Sequence, residues 1–249
     1  MTDARQTLIV VGAGSGIGAG VARLLAARGW AVACLDRAGD AASAVAASIR
    51  AAGGTALGLA ADVTDAASIE VAFDAVELRF GQLHAVINTA GIQGPLGVRS
   101  HEVTLDDVDR VYAVNLRGAL AVSQAAITRM LPHGYGRIAH VASIAGKEGN
   151  PGMIAYSTTK AGLIGMVKAQ GKEYAKDGIT INALAPAVIQ TPFLDTQPAD
   201  VISYMTEKIP MGRTGTVDEV AEMLGWMISP ACSFTTGFAF DLSGGRATY

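Results

Sequence analysis

Short apolar runs alternate with longer alanine-rich segments along the whole 249-residue chain. The runs TLIVV (7–11), WAVACLD (30–36), TALGLAADV (55–63), HAVINTAG (84–91), RIAHVAS (137–143), ITINALAP (179–186) and FAFDL (238–242) have too few polar positions for a half-solvated strand. They read as strands buried on both faces. Between them, 16–29, 39–52, 66–80, 105–131, 152–176 and 217–228 carry helical spacing. Residues 187–215 fit neither period and read as a long irregular segment. Strand–helix alternation predicts parallel strands joined by right-handed helical crossovers, with helices on both faces of the sheet. About seven strands fit, in one domain spanning 1–249, because no linker, repeat or shift of composition interrupts the series. Ligands of such a doubly wound α/β sheet bind at the carboxyl ends of its strands.

Composition narrows the function classes. Half of the residues are hydrophobic and the formal net charge is −3, with no run of like charges, so nothing supports a nucleic-acid surface. The N-terminus, MTDARQTLIVVG, shows no basic segment followed by a long apolar one, and the apolar runs are too short to span a membrane. Cys34 and Cys232 read as free thiols of a cytoplasmic protein. The four histidines lack metal-ligand spacing, so no metal is expected.

GAGSGIG, residues 12–18, follows the first strand and opens a helix. Glycines let the backbone turn tightly and approach a pyrophosphate, while the helix presents free N–H groups and the positive end of its dipole. Gly12, Gly16 and Gly18 fit GxxxGxG, whereas Gly14, Gly16 and Ala19 fit GxGxxA. The strand ends at Val11, which favours Gly12 as the first turn glycine. Ser15 and Ile17 then fall within the loop. Asp36 ends the second strand about twenty residues on. A carboxylate there accepts both ribose hydroxyls of an adenosine and repels a 2′-phosphate, so NAD is expected over NADP, although Arg37 beside it favours the phosphate. Asp62 and Val63 sit where a carboxylate and the next backbone N–H can meet an adenine edge; Asp62 fits a helix-entry turn equally well. Asn88, Ala90 and Gly91, in NTAG, end the fourth strand with small residues on which the middle of a dinucleotide can lie. The whole is a Rossmann-like arrangement.

AYSTTKAGL, residues 155–163, places Tyr156 four residues before Lys160, on one helix face. A phenol titrates near 10 in water. A neighbouring ammonium favours the phenolate, so the pair predicts a tyrosine lowered toward neutral pH and usable as a general acid/base. Ser143, at a strand end thirteen residues earlier, offers a hydroxyl to the same substrate oxygen.

In this order, GAGSGIG, Asp36, Asp62-Val63, NTAG, Asn115, Ser143, Tyr156-x-x-x-Lys160 and PAVIQT resemble the short-chain dehydrogenase/reductases over nearly the whole chain. The resemblance implies hydride transfer between a secondary alcohol or ketone and a nicotinamide cofactor, NAD or NADH. It implies that Lys160 also bonds the nicotinamide ribose, and that Asn115, in YAVNLRG, holds a water linking Lys160 to solvent. It adds Pro186, Ile189 and Thr191 to the cofactor site, Thr191 being five residues after Pro186. It further implies a homotetramer built on the long helices 105–131 and 152–176. The family often has Thr where this chain has Val11, Asn where it has Thr89, and Gly where it has Ala187, which puts hydrogen bonds around the glycine loop in question.

Substrate is carried by less. The segment 187–215 covers the substrate in such a fold, and here it mixes Phe193, Leu194, Tyr204 and Met205 with Asp195, Gln197, Asp200 and Lys208. That mixture argues against a steroid-like ligand. Lys147, four residues past Ser143, is placed to pair with a substrate carboxylate, and Arg246 in the tail is placed to reach the site of its own or a neighbouring subunit. SIAGKEGNPG and DLSGGRATY resemble family members acting on 2-keto-3-deoxy-L-sugar acids such as 2-keto-3-deoxy-L-fuconate. The alternatives are a 3-oxoacyl-[acyl-carrier-protein] reductase, against which Ser15 in the loop and the absence of basic clusters count, and a non-catalytic NAD-binding protein, which would not be expected to keep Ser143, Tyr156 and Lys160 together.

Overall fold

The computed structural model describes residues 5–192, 194 and 199–249, without the side chains of Ala199, Asp200, Val201 and Tyr204. Seven parallel strands form one sheet: β1 (Thr7–Val11), β2 (Ala31–Asp36), β3 (Thr55–Ala60), β4 (Leu83–Asn88), β5 (Gly136–Val141), β6 (Ile179–Pro186) and β7 (Ala239–Leu242), in the order β3-β2-β1-β4-β5-β6-β7. The strand pattern explains the layering. In β1, Leu8 and Val10 point to one face and Ile9 and Val11 to the other, all essentially buried. One face is covered by α1 (Gly16–Ala27), α2 (Gly39–Ala51) and α9 (Val217–Met227). The other is covered by α3 (Ala66–Phe80), α5 (Gly118–Met130) and α7 (Ile154–Glu173). Polar caps mark helix starts: Asp65 accepts from the Ala67 N–H, and Thr216 with Glu219 closes a capping box on α9.

Three local features differ from the pattern. The expected helix 105–131 is divided into α4 (Leu105–Tyr112), a π-helical turn over Ala113–Arg117 and α5. A short helix, α6 (Ile144–Glu148), follows β5, and α8 (Ala199–Glu207) interrupts the segment read as irregular. Phe193, Asp195 and Gln197, and the side chains of Asp200 and Tyr204, lie outside the described residues.

The order of strands reverses direction between β1 and β4. Their carboxyl ends therefore open a crevice with crossovers leaving to opposite sides. Val11 pairs with Asn88 there, so the glycine loop after β1 and the NTAG turn after β4 face each other.

Candidate active site

The crevice holds a cleft of about 470 Å³, within the range of small-molecule sites. Gly12, Ser15, Gly16, Ile17 and Gly18 form one wall, Asp36, Arg37, Asp62 and Val63 one end, and Ala90, Gly91, Tyr156, Lys160 and Thr191 line the rest.

The glycine loop is built by close approach. Gly12 has φ +81, and a Cβ there would sit 2.7 Å from Thr89 Oγ1. A Cβ on Gly18 would lie 2.6 Å from the same oxygen and closer still to the Gly12 carbonyl. Thr89 answers the question its presence raised: its N–H donates to Val11 O (2.8 Å), and its hydroxyl reaches the carbonyls of Val11 (2.8 Å) and Gly12 (3.2 Å). Ser15 stands at the N-cap of α1 without capping through its side chain, and no acidic residue occupies the first turn. The first N–H groups and the dipole of a twelve-residue helix therefore face the cleft, a setting suited to phosphate.

Asp36 is fixed from two sides. Its Oδ2 accepts the Gly14 N–H and its Oδ1 the Ala38 N–H, each at 2.9 Å, so the carboxylate is held in place at the cleft end. Asp62 stands at the cleft and also shapes the turn leading into α3, whose N-cap is Asp65. Its Oδ1 accepts the Thr64 N–H (2.9 Å) and hydroxyl (2.8 Å). Those two bonds, with the Arg37 charge assisting, hold its carboxyl below the usual range against a small opposing effect of burial.

Asn88 lies behind the floor rather than in it. Its Oδ1 accepts the Ala90 N–H (3.1 Å) and its amide nitrogen reaches His140 Nδ1 (3.3 Å), whose Nε2 is 2.9 Å from Ser123 Oγ. Because the Asn88 oxygen is already an acceptor, its NH₂ donates to Nδ1, and the imidazole is the neutral tautomer donating from Nε2 to Ser123. Burial, with the charge of Lys160 adding, pushes His140 down to about 3. No motif marks His140 or Ser123. His140 shows in the sequence only as a polar residue inside a largely apolar strand, and Ser123, within α5, gives no signal.

At the other end of the cleft, Tyr156 and Lys160 come from the first turns of α7 and Ser143 from the end of β5, where it caps α6 by accepting the Ala145 N–H (3.1 Å). The Ser143 hydroxyl stands near enough to the Tyr156 phenol to act on its acidity. Lys160 is 3% exposed, its Nζ donating to Val141 O (2.7 Å) and lying 5.7 Å from the centre of the Tyr156 ring. The expected tuning is corrected here. Burial raises the Tyr156 phenol above its ordinary value, and it is the Ser143 hydroxyl that pulls it back. Burial also lowers Lys160 to about 8, because a low-dielectric site penalises each charged form.

Asn115 sits in the π-helical turn, 1% exposed. Its Oδ1 accepts the Ile92 N–H (2.8 Å), and its amide donates to Ile92 O (2.9 Å) and Thr159 Oγ1 (3.2 Å). Such turns widen a helix locally and concentrate at functional sites. A Cβ on Gly91 would be 3.3 Å from both Asn115 Oδ1 and Lys160 Nζ, so the two lie behind the same glycine.

Asn88, Asn115 and Ser143 are not among the lining residues of the cleft, and four further expected residues stand apart from it. Pro186 ends β6, and Ile189 packs into the core. Lys147 pairs with Asp241 (3.2 Å), and Arg246 with Glu148 (2.8 Å) and Asn150 (2.9 Å); both side chains are less than a tenth exposed. Each cation is held by a carboxylate of its own chain. Thr89, Ile92 and Gln93 also line the cleft; Thr89 lies within NTAG and the other two follow it, and the motif is the one signal that pointed to them.

The sequence matches the family described as enoyl-(acyl carrier protein) reductase over residues 12–246. It is 44% identical over 246 residues to a 2-dehydro-3-deoxy-L-rhamnonate dehydrogenase (NAD(+)) of Sphingomonas sp. (strain SKA58), covering 99% of this chain and 97% of that one. It is 38% identical to the cis-4-hydroxycyclohexanecarboxylate dehydrogenase of Sinomonas cyclohexanicum, covering 97% and 96%. Among solved structures, an NAD+-bound xylitol dehydrogenase superposes with a TM-score of 0.93 at 30% identity, covering 98% of this chain and 100% of that one.

Proposed function

We propose that this chain, which belongs to the short-chain dehydrogenase/reductase family, is an NAD-dependent dehydrogenase that interconverts a secondary alcohol and a ketone, with Tyr156 exchanging the proton. The observation that carries the reading is that Tyr156, with Ser143 beside it, and Lys160 share with Asp36 and an uncapped helix N-terminus the lining of one cleft. The glycine loop and α1 would hold the pyrophosphate, Asp36 the adenosine ribose, and Lys160 with Thr191 the nicotinamide half. When bound, the cofactor supplies the hydride acceptor of oxidation or the hydride donor of reduction.

The chain's own residues manage the substrate oxygen. Ser143 donates to it and orients it, and Tyr156 takes the hydroxyl proton in oxidation or returns one in reduction. A phenol raised by burial is protonated at neutral pH, ready to give its proton to a ketone. Oxidation needs the phenolate, so it gains as pH rises. Lys160, charged below about pH 8, stands beside the phenol, its ammonium 5.7 Å from the ring centre. Asn115, anchored by Ile92 and Thr159 beside Lys160, holds the amine's surroundings polar.

The substrate is a sugar acid of the 2-keto-3-deoxy type, such as 2-keto-3-deoxy-L-fuconate. Two similar proteins are named for oxidising hydroxylated carboxylates, and the cover segment mixes apolar with charged residues. We further place the enzyme in the cytoplasm as a homotetramer, in keeping with buried free thiols at Cys34 and Cys232 and with Leu105, Tyr112, Leu120 and Ile154 exposed on α4, α5 and α7. The test is NADH absorbance with sugar acids, polyols and 3-oxoacyl thioesters, each with NAD and NADP cofactors, on wild type and Tyr156→Phe. The reading expects sugar acids with NAD to be turned over best and Tyr156→Phe to lose about 100-fold or more. Turnover surviving in Tyr156→Phe removes the tyrosine from the mechanism, and preference for the thioesters with NADPH replaces the sugar acid by an acyl-carrier substrate.

A further inference from the structure

The helix that carries Ser143 at its N-cap is five residues long. A helix of that length does not hold itself together in water, yet Ser143 at its N-cap must keep its hydroxyl beside the Tyr156 phenol. What holds it is the end of the chain. The Asp241 carboxylate grips the Lys147 ammonium (3.2 Å), and the Arg246 guanidinium bonds Glu148 (2.8 Å) and the Asn150 side chain (2.9 Å). The Tyr249 hydroxyl donates to the Lys147 carbonyl (2.7 Å), and the Lys147 ammonium lies 5.1 Å over the centre of the Tyr249 ring. The tail is itself tied in place: Asp241 Oδ1 accepts from the Ser243 N–H (3.0 Å) and hydroxyl, and the Ala247 N–H donates to Ser243 Oγ (3.0 Å).

On its opposite side α6 meets the catalytic helix. A Cβ on Gly146 would lie 2.6 Å from the Lys160 carbonyl carbon and 2.8 Å from the Ala161 nitrogen, so the backbones of α6 and α7 touch at Lys160. Asn150, held by Arg246, donates its own N–H to Ser157 Oγ (3.1 Å), next to Tyr156. The short helix is thus clamped between the tail and the tyrosine-lysine helix.

We propose that the C-terminal segment from Asp241 to Tyr249 is a positioning strap: it presses α6 against α7 through Lys147 and Glu148, and so sets Ser143 against Tyr156. Lys147, Asp241, Arg246 and Tyr249 are positioning residues for the proton transfer, acting through Ser143, and they do not bind the substrate. The inference rests on the catalytic reading of Ser143 and Tyr156 given above.

The variants are Arg246→Met, which keeps the aliphatic stem, and the milder Arg246→Lys and Tyr249→Phe in case the first folds poorly. The charge reversal Arg246→Glu with Glu148→Arg is the rescue arm. Turnover is measured with a carboxylated and a neutral alcohol, NADH affinity by fluorescence, and oxidation across pH. The strap predicts a fall in kcat of about tenfold or more for Arg246→Met, the same for both alcohols, with NADH affinity unchanged. It predicts a shift of the oxidation pH profile to higher pH as Ser143 loosens its hold on Tyr156, smaller losses in the milder pair, and recovery in the charge-reversed double variant. Full kcat in folded Arg246→Met, or no loss in either milder variant, overturns it. A KM raised for the carboxylated alcohol alone overturns it too and makes Arg246 a substrate ligand. Turnover kept by Tyr156→Phe would sink the catalytic reading itself, whereas an inactive Tyr156→Phe beside an unaffected Arg246→Met sinks only the strap.

Discussion

Replacing Lys160 with Met should make the cofactor-free protein more stable while destroying its activity. The ammonium is 3% exposed, and burial lowers it from 10.5 to about 8. At about 1.4 kcal/mol for each pH unit, holding the charge in the folded protein at pH 7 costs about 3 kcal/mol. Methionine removes that cost, fills a similar volume, and gives up the hydrogen bond to Val141 O, worth about 1 kcal/mol. The net gain is about 2 kcal/mol, a rise in Tm of about 4–8 °C for a domain of this size. The sign follows from linkage. Between pH 8 and 10.5 the unfolded chain keeps the lysine proton and the folded protein releases it, so wild-type stability rises with pH over that window. The variant's advantage is therefore full below pH 8 and gone by about pH 10.5. Thermal melts of both proteins at pH 7 and at pH 10, without cofactor, decide it. A variant that melts below wild type at pH 7, or whose advantage does not shrink at pH 10, refutes the view that Lys160 is a stored electrostatic cost kept for function.

Three further outcomes follow from the same geometry. Asp36→Ala should narrow the preference for NAD over NADP in kcat/KM by tenfold to about a hundredfold, since a unit charge about 5 Å from a 2′-phosphate repels it by about 3 kcal/mol at an effective dielectric near 20; an unchanged ratio would show that Asp36 does not read the ribose. Gly18→Ala drives a methyl against Gly12 O and Thr89 Oγ1, so NADH affinity by fluorescence titration should fall about tenfold or more while circular dichroism keeps the fold; wild-type affinity would mean the loop has slack that the backbone contacts deny. With Tyr156 raised by burial, kcat/KM for oxidation should climb steadily from pH 6 to 9 and fall flat in Tyr156→Phe; a profile level across that range would place the phenol's titration elsewhere.

How much of this was legible beforehand depends on whether a residue's role is set near it in the chain or far away. Strands buried on both faces announce themselves by unbroken apolar runs, so the sheet and its helices were readable, with ends off by a few residues at β3 and β4. The motif residues were readable for a related reason. Gly12, Asp36, Asn88 and Ser143 stand at the carboxyl ends of strands, and in a parallel sheet those ends all meet in one crevice. The π-helical turn was not readable, because Asn115 is held there by Ile92 and Thr159, and no local pattern encodes those partners. Nor was the direction of the Tyr156 shift. A sequence shows that an ammonium is four residues away, but the depth at which both groups are packed decides which effect wins. Lys147 and Arg246 make the point most sharply. As isolated cations near a serine they invited a substrate carboxylate, yet each has a carboxylate of its own chain, at Asp241 and Glu148, more than ninety residues distant. A buried cation is claimed by the nearest acid the fold delivers, so a lone Lys or Arg in a motif predicts a charge partner without predicting whose it is. That is why the same two residues, read from the chain as substrate ligands, stand in the fold as ion pairs that tie the tail to α6.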